Sequence, residues 1–380
     1  MSSSSWKRLV HVLLLSAYDA LSHRYWREGV TGALTDHTFS VHTLPPRYFS
    51  WRFRGNPLSW SGVDFSENEP SFDLLLTTSM TDLSALRGLN PSVRNLPTML
   101  YVHENQFAYP KRSALDHELE RQVTSLYSAL SADKVMFNST FNRNTFMEGV
   151  DLLLKRLPDQ VPDDVLARIE QKSNVLHVPL QDECFLPDTS AAQDRLTLVW
   201  NHRWESDKGL DRLLCFVKSL NEVNTPLTFH ILGQSGNRTP NELSVVRSLL
   251  DEQGRLGEFG FVKDRAKYLA LLQSSHVVVS TSEHDFQGLS LLEAMACGCR
   301  PLVPDRLAYP EFIDTRFRYQ PYDDRVVEAL SATELLRSWI GNLPAGQVPK
   351  QLRWQHLGSC YVDAFIDTVQ TSQEQTHVTR

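Results

Sequence analysis

At 380 residues the chain is too long for one ordinary domain and long enough for two. With 41% hydrophobic and 22% charged residues it has a globular composition, and a net charge of −7 excludes a broad basic surface for nucleic acid while leaving room for a local basic patch. Five cysteines, an odd number in a large chain, argue against a disulfide framework.

The first apolar run, residues 9–17, is short, interrupted by His11 and followed by Tyr18-Asp19 instead of a small-residue cleavage site. It reads as a buried first strand, not a signal peptide or a membrane span. Further strand candidates are residues 39–44, 72–77, 98–103 and 134–138, with helical spacing at 117–132 and 140–155. A second series follows at 196–201, 228–232, 277–280 and 301–303, again with helices between. Apolar strands joined by helices form parallel sheets buried on both faces. The boundary is expected within 179–194, which holds Pro187, Asp188, Ser190 and Gln193 and has little periodicity. The domains are therefore set at 1–182 and 183–350, with a tail at 351–380 whose apolar residues Trp354, Leu357, Tyr361, Ala364, Phe365 and Val369 have helical spacing. Ligands of open α/β sheets bind beyond the strand carboxyl ends, so the default site is the cleft between two such domains.

The most informative segment is Asp-Phe-Gln-Gly-Leu-Ser-Leu-Leu-Glu-Ala-Met-Ala-Cys-Gly, Asp285 to Gly298, set between two apolar runs. A helix amino end offers free N–H groups and a partial positive charge to an anion, and Gly288 permits a close backbone approach. Asp285 and Glu293 can accept hydrogen bonds from hydroxyls on either side, so the pattern suits a phosphate between two polyols. The alternative is an ordinary strand–helix turn with solvated acids. Arg203 and Lys208 stand directly after another strand candidate, and Gly209 and a helix follow them. Such a pair suits a diphosphate, Arg as a bidentate donor and Lys as a point charge. Its alternative is surface ion pairing with Glu205 and Asp207. Cys297 and Cys299, one residue apart, fit neither a zinc knuckle nor a redox pair and are assigned to packing. No Asp-x-Asp follows a strand, and the thirteen histidines lack zinc spacing. Metal-free chemistry is expected, with no cofactor and with Arg203, Lys208 and the helix amino end balancing the phosphate charge.

Arg-x4-Lys-Gly after a strand, Gly233 after the next strand, and acid-x7-Glu with Glu-Ala-Met-Ala-x-Gly resemble the nucleotide-sugar domain of retaining GT-B glycosyltransferases of family four. The resemblance implies an α/β GT-B fold, two doubly wound Rossmann-like domains facing a central cleft. It gives the sugar hydroxyls to Asp285 and the nucleotide ribose to Glu293. The diphosphate falls to Arg203, Lys208 and the amides of Gly288, Leu289 and Ser290. The segment Phe259-Gly-Phe-Val-Lys263, with Val262, resembles the loop that cradles the base through backbone atoms. The family's first acid is usually Glu, and Asp285 is one methylene shorter.

The amino-terminal half narrows the match. Tyr101-Val-His-Glu-Asn-Gln106 with Tyr109-Pro110, Phe137-Asn-Ser-Thr-Phe-Asn142, and the blocks around Tyr18–His23 and Asn201–Lys208 are similar to the tRNA-queuosine mannosyltransferases over most of residues 9–312. Those enzymes move mannose from GDP-mannose to the cyclopentenediol of queuosine in the tRNA anticodon, with retention of configuration. Where relatives carry glycines before the first His, this chain has Asp19-Ala-Leu21. His103 is expected to face the sugar and act near the anomeric carbon, with a buried core histidine as the alternative. Glu104, Asn105 and Gln106 are expected to line the acceptor side with Asp19 and His23, helix capping being the alternative for His23. Tyr48-Phe-Ser-Trp-Arg-Phe-Arg54 interleaves aromatics with cations, as proteins that bind single-stranded RNA loops do. Trp51, Arg52 and Arg54 are the acceptor-binding candidates there, with Lys111 and Arg112 extending a basic rim; the alternative is a hydrophobic loop packed on its own domain.

The combined expectation is a cytoplasmic, metal-independent glycosyltransferase that binds a nucleotide sugar and the tRNA anticodon loop and has no membrane partner. The alternatives are a same-fold enzyme acting on a glycan or small metabolite with another donor, and a binding protein without catalysis. The sequence assigns no oligomeric state.

Overall fold

The computed structural model describes residues 9–66, 71–109, 118–185, 195–234 and 239–378. They divide into two compact units, one of residues 1–179 with 354–380 and one of residues 180–353. The division falls at 179/180 and 353/354, where the sequence sets 182 and 350. Residues Pro187 to Gln193, the least periodic part of the expected boundary, lie outside the described residues, as do Lys111 and Arg112.

The first unit is a six-stranded parallel sheet in the order β2-β1-β3-β4-β5-β6. Its strands are β1 His11–Ser16, β2 Thr38–Thr43, β3 Leu74–Thr78, β4 Thr98–Val102, β5 Lys134–Phe137 and β6 Ser173–Val175. Helices α1 Leu21–Ala33, α2 Phe49–Trp60, α3 Leu83–Leu89, α4 Glu118–Ser131, α5 Thr140–Leu154 and α6 Val165–Glu170 connect them. The central strands β3 and β4 are buried at every position, which explains their unbroken apolar runs. The edge strand β2 alternates Phe39 and Val41 with polar residues and is partly exposed.

The second unit repeats the architecture in the order β12-β11-β10-β7-β8-β9. It holds β7 Leu196–Trp200, β8 Leu227–Leu232, β9 Leu256–Gly260, β10 Val277–Val279, β11 Arg300–Pro304 and β12 Arg318–Tyr319. Its helices are α7 Leu210–Ser219, α8 Asn241–Glu252, α9 Arg265–Gln273, α10 Leu289–Ala296, α11 Tyr309–Phe312 and α12 Arg325–Ser338. The nine expected strands are all present. Those absent from the sequence reading, β6, β9 and β12, lie at sheet edges. They are short or glycine-rich, and β9 (Leu-Gly-Glu-Phe-Gly) is only half-buried throughout, so an apolar-run criterion passes over them.

Residues 48–54, read in one alternative as a loop, open helix α2. Pro57 inside it lacks the N–H that would bond the Phe53 carbonyl. The buried Asn56 amide takes that carbonyl instead at 3.1 Å, donates also to Met80 and accepts from the Asp82 N–H, so the interruption ties α2 to the loop after β3.

The tail forms helix α13 Trp354–Val378 and belongs to the first unit. Its Tyr361 hydroxyl accepts from Trp26 Nε1 at 3.0 Å and lies 3.1 Å from the Tyr101 hydroxyl and 3.0 Å from the His177 carbonyl. The Tyr101 hydroxyl donates to the Leu176 carbonyl at 2.6 Å, and the Trp26 and Tyr101 rings stack at 4.4 Å. All three rings are buried, so each polar tip needs this partner. Tyr361→Phe is expected to lower unfolding stability by about 1–3 kcal/mol, because it leaves Trp26 Nε1 buried without an acceptor. Denaturant unfolding followed by tryptophan fluorescence measures this; an unchanged midpoint would show that the network adds no stability.

Candidate active site

In the second unit the site is built from the loops after β7 and β10. Beyond Trp200 the chain runs through Asn201, His202 and Arg203 to a single 3-10 turn, Ser206–Lys208, and then to Gly209 at a φ of 66°. A Cβ on Gly209 would lie 2.1 Å from the Thr281 carbonyl oxygen, so glycine is required where the two loops touch. The Asp207 carbonyl accepts the N–H groups of Glu283 and His284, and the Thr281 hydroxyl donates to the Lys208 carbonyl at 2.9 Å. Gly233, at the end of β8, has the same role: a Cβ there would meet the His202 carbonyl at 1.9 Å.

These contacts place Lys208 and Asp285 together. The Lys208 ammonium is buried, donates to the His284 carbonyl at 2.7 Å, and stands 3.5 Å from Asp207 and 3.7 Å from Asp285. Burial alone would raise the Asp285 carboxyl, but the Lys208 charge, with the neighbouring His202 and His284 rings and the Gly288 N–H, outweighs it and holds it below the ordinary carboxylate value. Burial and the Lys208 charge lower His202 to about 4, so its ring is neutral at pH 7. Its Nε2 is buried with no hydrogen-bond partner among the described residues. Arg203 is about half exposed and pairs with Glu205 at 3.2 Å and Asp207 at 3.9 Å, as in the ion-pair alternative.

Gly288 caps α10 at a φ of 81°, and its N–H donates to Asp285 at 3.0 Å. The expected phosphate amide of Gly288 is therefore engaged by the turn's own acid. The N–H groups of Leu289 and Ser290, one step into the helix, donate to no such partner among the described residues and remain available at the amino end. Asn201 braces this helix start, donating to the Ser290 carbonyl at 2.7 Å and the Tyr268 hydroxyl at 2.9 Å.

Glu293 is buried on α10, and Arg265 at the start of α9 grips both its oxygens, at 2.5 and 3.3 Å. Arg265 also donates to Glu183 at 2.7 Å and to Cys184 Sγ at 3.2 Å, and its guanidinium lies 5.4 Å from the Tyr268 ring centroid. Burial and the Glu293 charge push the Cys184 thiol far up, so it stays protonated. Sequence reasoning missed Arg265. Its only signal was a cation soon after the segment expected to cradle a base, in which Val262 is half-buried and Phe259 packs on Trp204 at 5.0 Å.

In the first unit His103 follows β4 and is buried among rings. It stacks on His23 of α1 at 4.4 Å and lies 4.8 Å from both Trp26 and Tyr101. Burial and the neighbouring His23 hold it well below the ordinary histidine range, so it is neutral, and its Nε2 has no hydrogen-bond partner among the described residues. Glu104 accepts from the Tyr109 hydroxyl at 2.6 Å, and Gln106 is buried.

Asn105, expected to line the acceptor side, is engaged within its own loop. It is buried, its amide donates to Asn142 and Thr145, and its oxygen accepts the N–H groups of Phe107 and Ala108. Asp19 is taken by Arg27 at 3.0 and 3.1 Å and by Arg24 at 3.4 Å, which pins α1 to the loop after β1. Arg54 is likewise engaged, with Asp82 at 2.6 Å, Glu120 at 3.0 Å and the Thr124 hydroxyl at 3.0 Å. Trp51 and Arg52 remain on the surface turn of α2, Trp51 half exposed. A cavity of about 450 Å³ beside Arg54 is lined by Glu118, Glu120 and Tyr127, and its carboxylates do not suit a diphosphate. Among the described residues no helix is long and apolar enough to cross a membrane.

Residues 11–180 match the family described as tRNA-queuosine alpha-mannosyltransferase N-terminal, and residues 186–333 match Glycosyl transferases group 1. A tRNA-queuosine alpha-mannosyltransferase of Drosophila melanogaster is 31% identical over 310 residues, spanning 79% of this chain and 81% of the relative. Among solved structures, the catalytic domain of starch synthase IV from Arabidopsis thaliana bound to ADP and acarbose is similar in fold. It has a TM-score of 0.68 at 12% identity and covers 96% of this chain and 100% of that one. HepE of Anabaena in complex with UDP and glucose gives 0.61 at 13%, covering 97% and 99%. Two parallel sheets with flanking helices and these neighbours give the expected GT-B architecture.

The Asp19 ion pairs make stability depend on pH. Burial raises the Asp19 carboxyl, yet hydrogen bonds and charge from Arg27, with help from Arg24, bring it below the free value of 3.8. A lowered carboxyl contributes stability that is fully present above 3.8 and lost as pH falls through the lower folded value. Asp19→Asn is expected to cost about 1–3 kcal/mol at pH 7, with the gap to the unsubstituted chain closing below pH 3.8. Urea unfolding of both proteins across that range measures it; a gap independent of pH would show that the ion pairs are not its source.

Proposed function

The chain belongs to the tRNA-queuosine alpha-mannosyltransferase family of glycosyltransferases, and on that premise we propose that it transfers mannose from GDP-mannose to the cyclopentenediol of queuosine in the tRNA anticodon. The observation that carries the donor side is the buried Lys208 ammonium, 3.7 Å from Asp285 and held to the same loop as the amino end of α10. Fixed N–H groups and a buried cation in one place suit a diphosphate without reorganisation. Leu289 and Ser290 supply the amides, Lys208 and Arg203 supply the positive charge, and no metal ion is needed for that balance. Asp285 accepts from sugar hydroxyls, Glu293, held by Arg265, accepts from the ribose, and neutral His103 donates from the acceptor side.

The sequence marks no second carboxylate for the opposite face of the sugar, as a double displacement would need. The proposed step is therefore a front-face displacement. The bond from the anomeric carbon to the donor phosphate breaks as an acceptor hydroxyl oxygen bonds to that carbon. The departing phosphate oxygen takes the hydroxyl proton, and configuration is retained. With tRNA as the acceptor, the proposed location is the cytoplasm.

Incubating the protein with queuosine-containing tRNA and a panel of nucleotide sugars, followed by nucleoside mass spectrometry, is expected to show one added hexose with GDP-mannose alone. No added mass with any donor would overturn the proposal, and an inverted anomeric product would overturn the front-face step. Lys208→Ala is expected to weaken donor binding by about 2 kcal/mol, since it removes a charge-assisted contact, as read by calorimetric titration. His103→Ala is expected to lower kcat more than it raises the donor KM; the reverse pattern would place His103 away from the reacting carbon.

A further inference from the structure

Taking tRNA as the acceptor, we infer that residues 47–52, at the start of α2, form a stacking platform for unpaired bases of the anticodon loop. Between Asp36 and Asp64 the chain carries no acid, although it holds 45 Asp and Glu in all. Within that stretch two large rings face outward one helical turn apart. Tyr48 is 72% exposed and Trp51 is 52% exposed, whereas Phe53 is buried and Phe49 packs edge-on against Tyr18 at 5.6 Å. An amphipathic helix would ordinarily turn its rings inward, and here the inward positions are already filled.

Both outward rings are held in place. The Trp51 ring lies across Gly55 so closely that a Cβ there would be 2.6 Å from it, so one face rests on the helix and the other is open. Tyr48 caps the helix at a φ of 55°, a conformation that bulky residues rarely adopt. The Arg47 guanidinium sits 5.8 Å from its ring centroid. Neither Arg47 nor Arg52 makes an ion pair among the described residues, and Arg52 Nε is buried without a hydrogen-bond partner. Arg54, by contrast, is neutralised by Asp82 and Glu120 and adds nothing to the platform.

The position in the sheet fits the role. In a parallel sheet all strand carboxyl ends lie at one edge, where α/β ligands bind. The loop after β2 carries the platform, the loop after β1 leads into the helix bearing His23, and the loop after β4 carries His103. The Asp19 N–H bonds the Leu44 carbonyl and the Leu44 N–H bonds the Ser16 carbonyl, joining the first two loops directly. Open π-faces flanked by the guanidinium groups of Arg47 and Arg52, which no acid pairs among the described residues, match unpaired bases joined by phosphates. A duplex of the same charge buries its base faces and cannot use the rings.

The test is fluorescence-anisotropy binding of a labelled, queuosine-bearing anticodon stem-loop to the full chain. Tyr48→Ala with Trp51→Ala is expected to weaken it at least ten-fold without lowering Tm, and Tyr48→Phe with Trp51→Phe to stay within about two-fold, since stacking needs the ring alone. A fully paired RNA of the same length is expected to bind both proteins equally. Arg47→Glu, a change on an exposed side chain, keeps the test valid if the double variant folds poorly, and should weaken the stem-loop several-fold and flatten its salt dependence. Unchanged stem-loop affinity in these variants, or an equal loss for the duplex, would overturn the platform. Ring-dependent binding without mannose transfer would leave the platform standing and overturn the proposed reaction. Transfer to queuosine with ring-independent binding would do the opposite.

Discussion

The ammonium of Lys208 is a charge removed from water, and the arrangement of the second unit's loops follows from the need to keep it paired. An unpaired buried charge costs several kcal/mol, so burial persists only where partners are fixed. Asp207, Asp285 and the His284 carbonyl are those partners, and they come from two different strand–helix loops. Holding them requires the loops to interlock. Gly209 yields room to the Thr281 carbonyl, the Asp207 carbonyl takes two amides of the opposite loop, and Asp285 turns back onto Gly288. The cation, the acid and the amino end of α10 are thus oriented before any ligand arrives, which is the condition under which fixed dipoles stabilise charge most effectively.

The first unit has a different chemistry at the carboxyl edge of its own sheet. His103 is enclosed by aromatic rings, with His23 stacked on it, and burial with that neighbour holds His103 below the ordinary histidine range. A neutral imidazole can donate one hydrogen bond and accept another, which suits hydroxyl-bearing molecules better than phosphate. The enclosure itself depends on Trp26, Tyr101 and Tyr361, residues far apart in the chain, so the last helix takes part in shaping the surroundings of a residue near the middle of the first unit. The donor loops of the second unit gather charge around Lys208, whereas His103 of the first unit is surrounded by rings, in keeping with a charged donor and an RNA acceptor.

Glu293 and Arg265 illustrate how a site residue gains meaning from its neighbour. Glu293 stood out by its spacing from Asp285, but the sequence gives no reason to join it to a cation 28 positions earlier. The pairing arises because α9 connects the edge strand β9 back to β10 and packs beside α10, which brings Arg265 to Glu293. Asn105 shows the opposite case. It sits in the most distinctive block of the first unit, and its amide is taken by Asn142 and Thr145 and its oxygen by two backbone N–H groups, so its side chain holds the loop together.

The sequence by itself determined what depends on local pattern. Unbroken apolar runs gave the buried strands, helical spacing gave the helices between them and α13, and the fixed intervals from Arg203 to Lys208 and from Asp285 to Glu293 marked the donor loops, because each is set by geometry within one strand–turn–helix unit. Only the tertiary structure decided what depends on which elements become neighbours. Edge strands such as β9 and β12 have no apolar run to announce them. Whether a charged side chain faces solvent or is answered by a distant partner, as Asp19 is by Arg27 and Arg54 by Asp82, depends on distances through space that spacing along the chain does not encode.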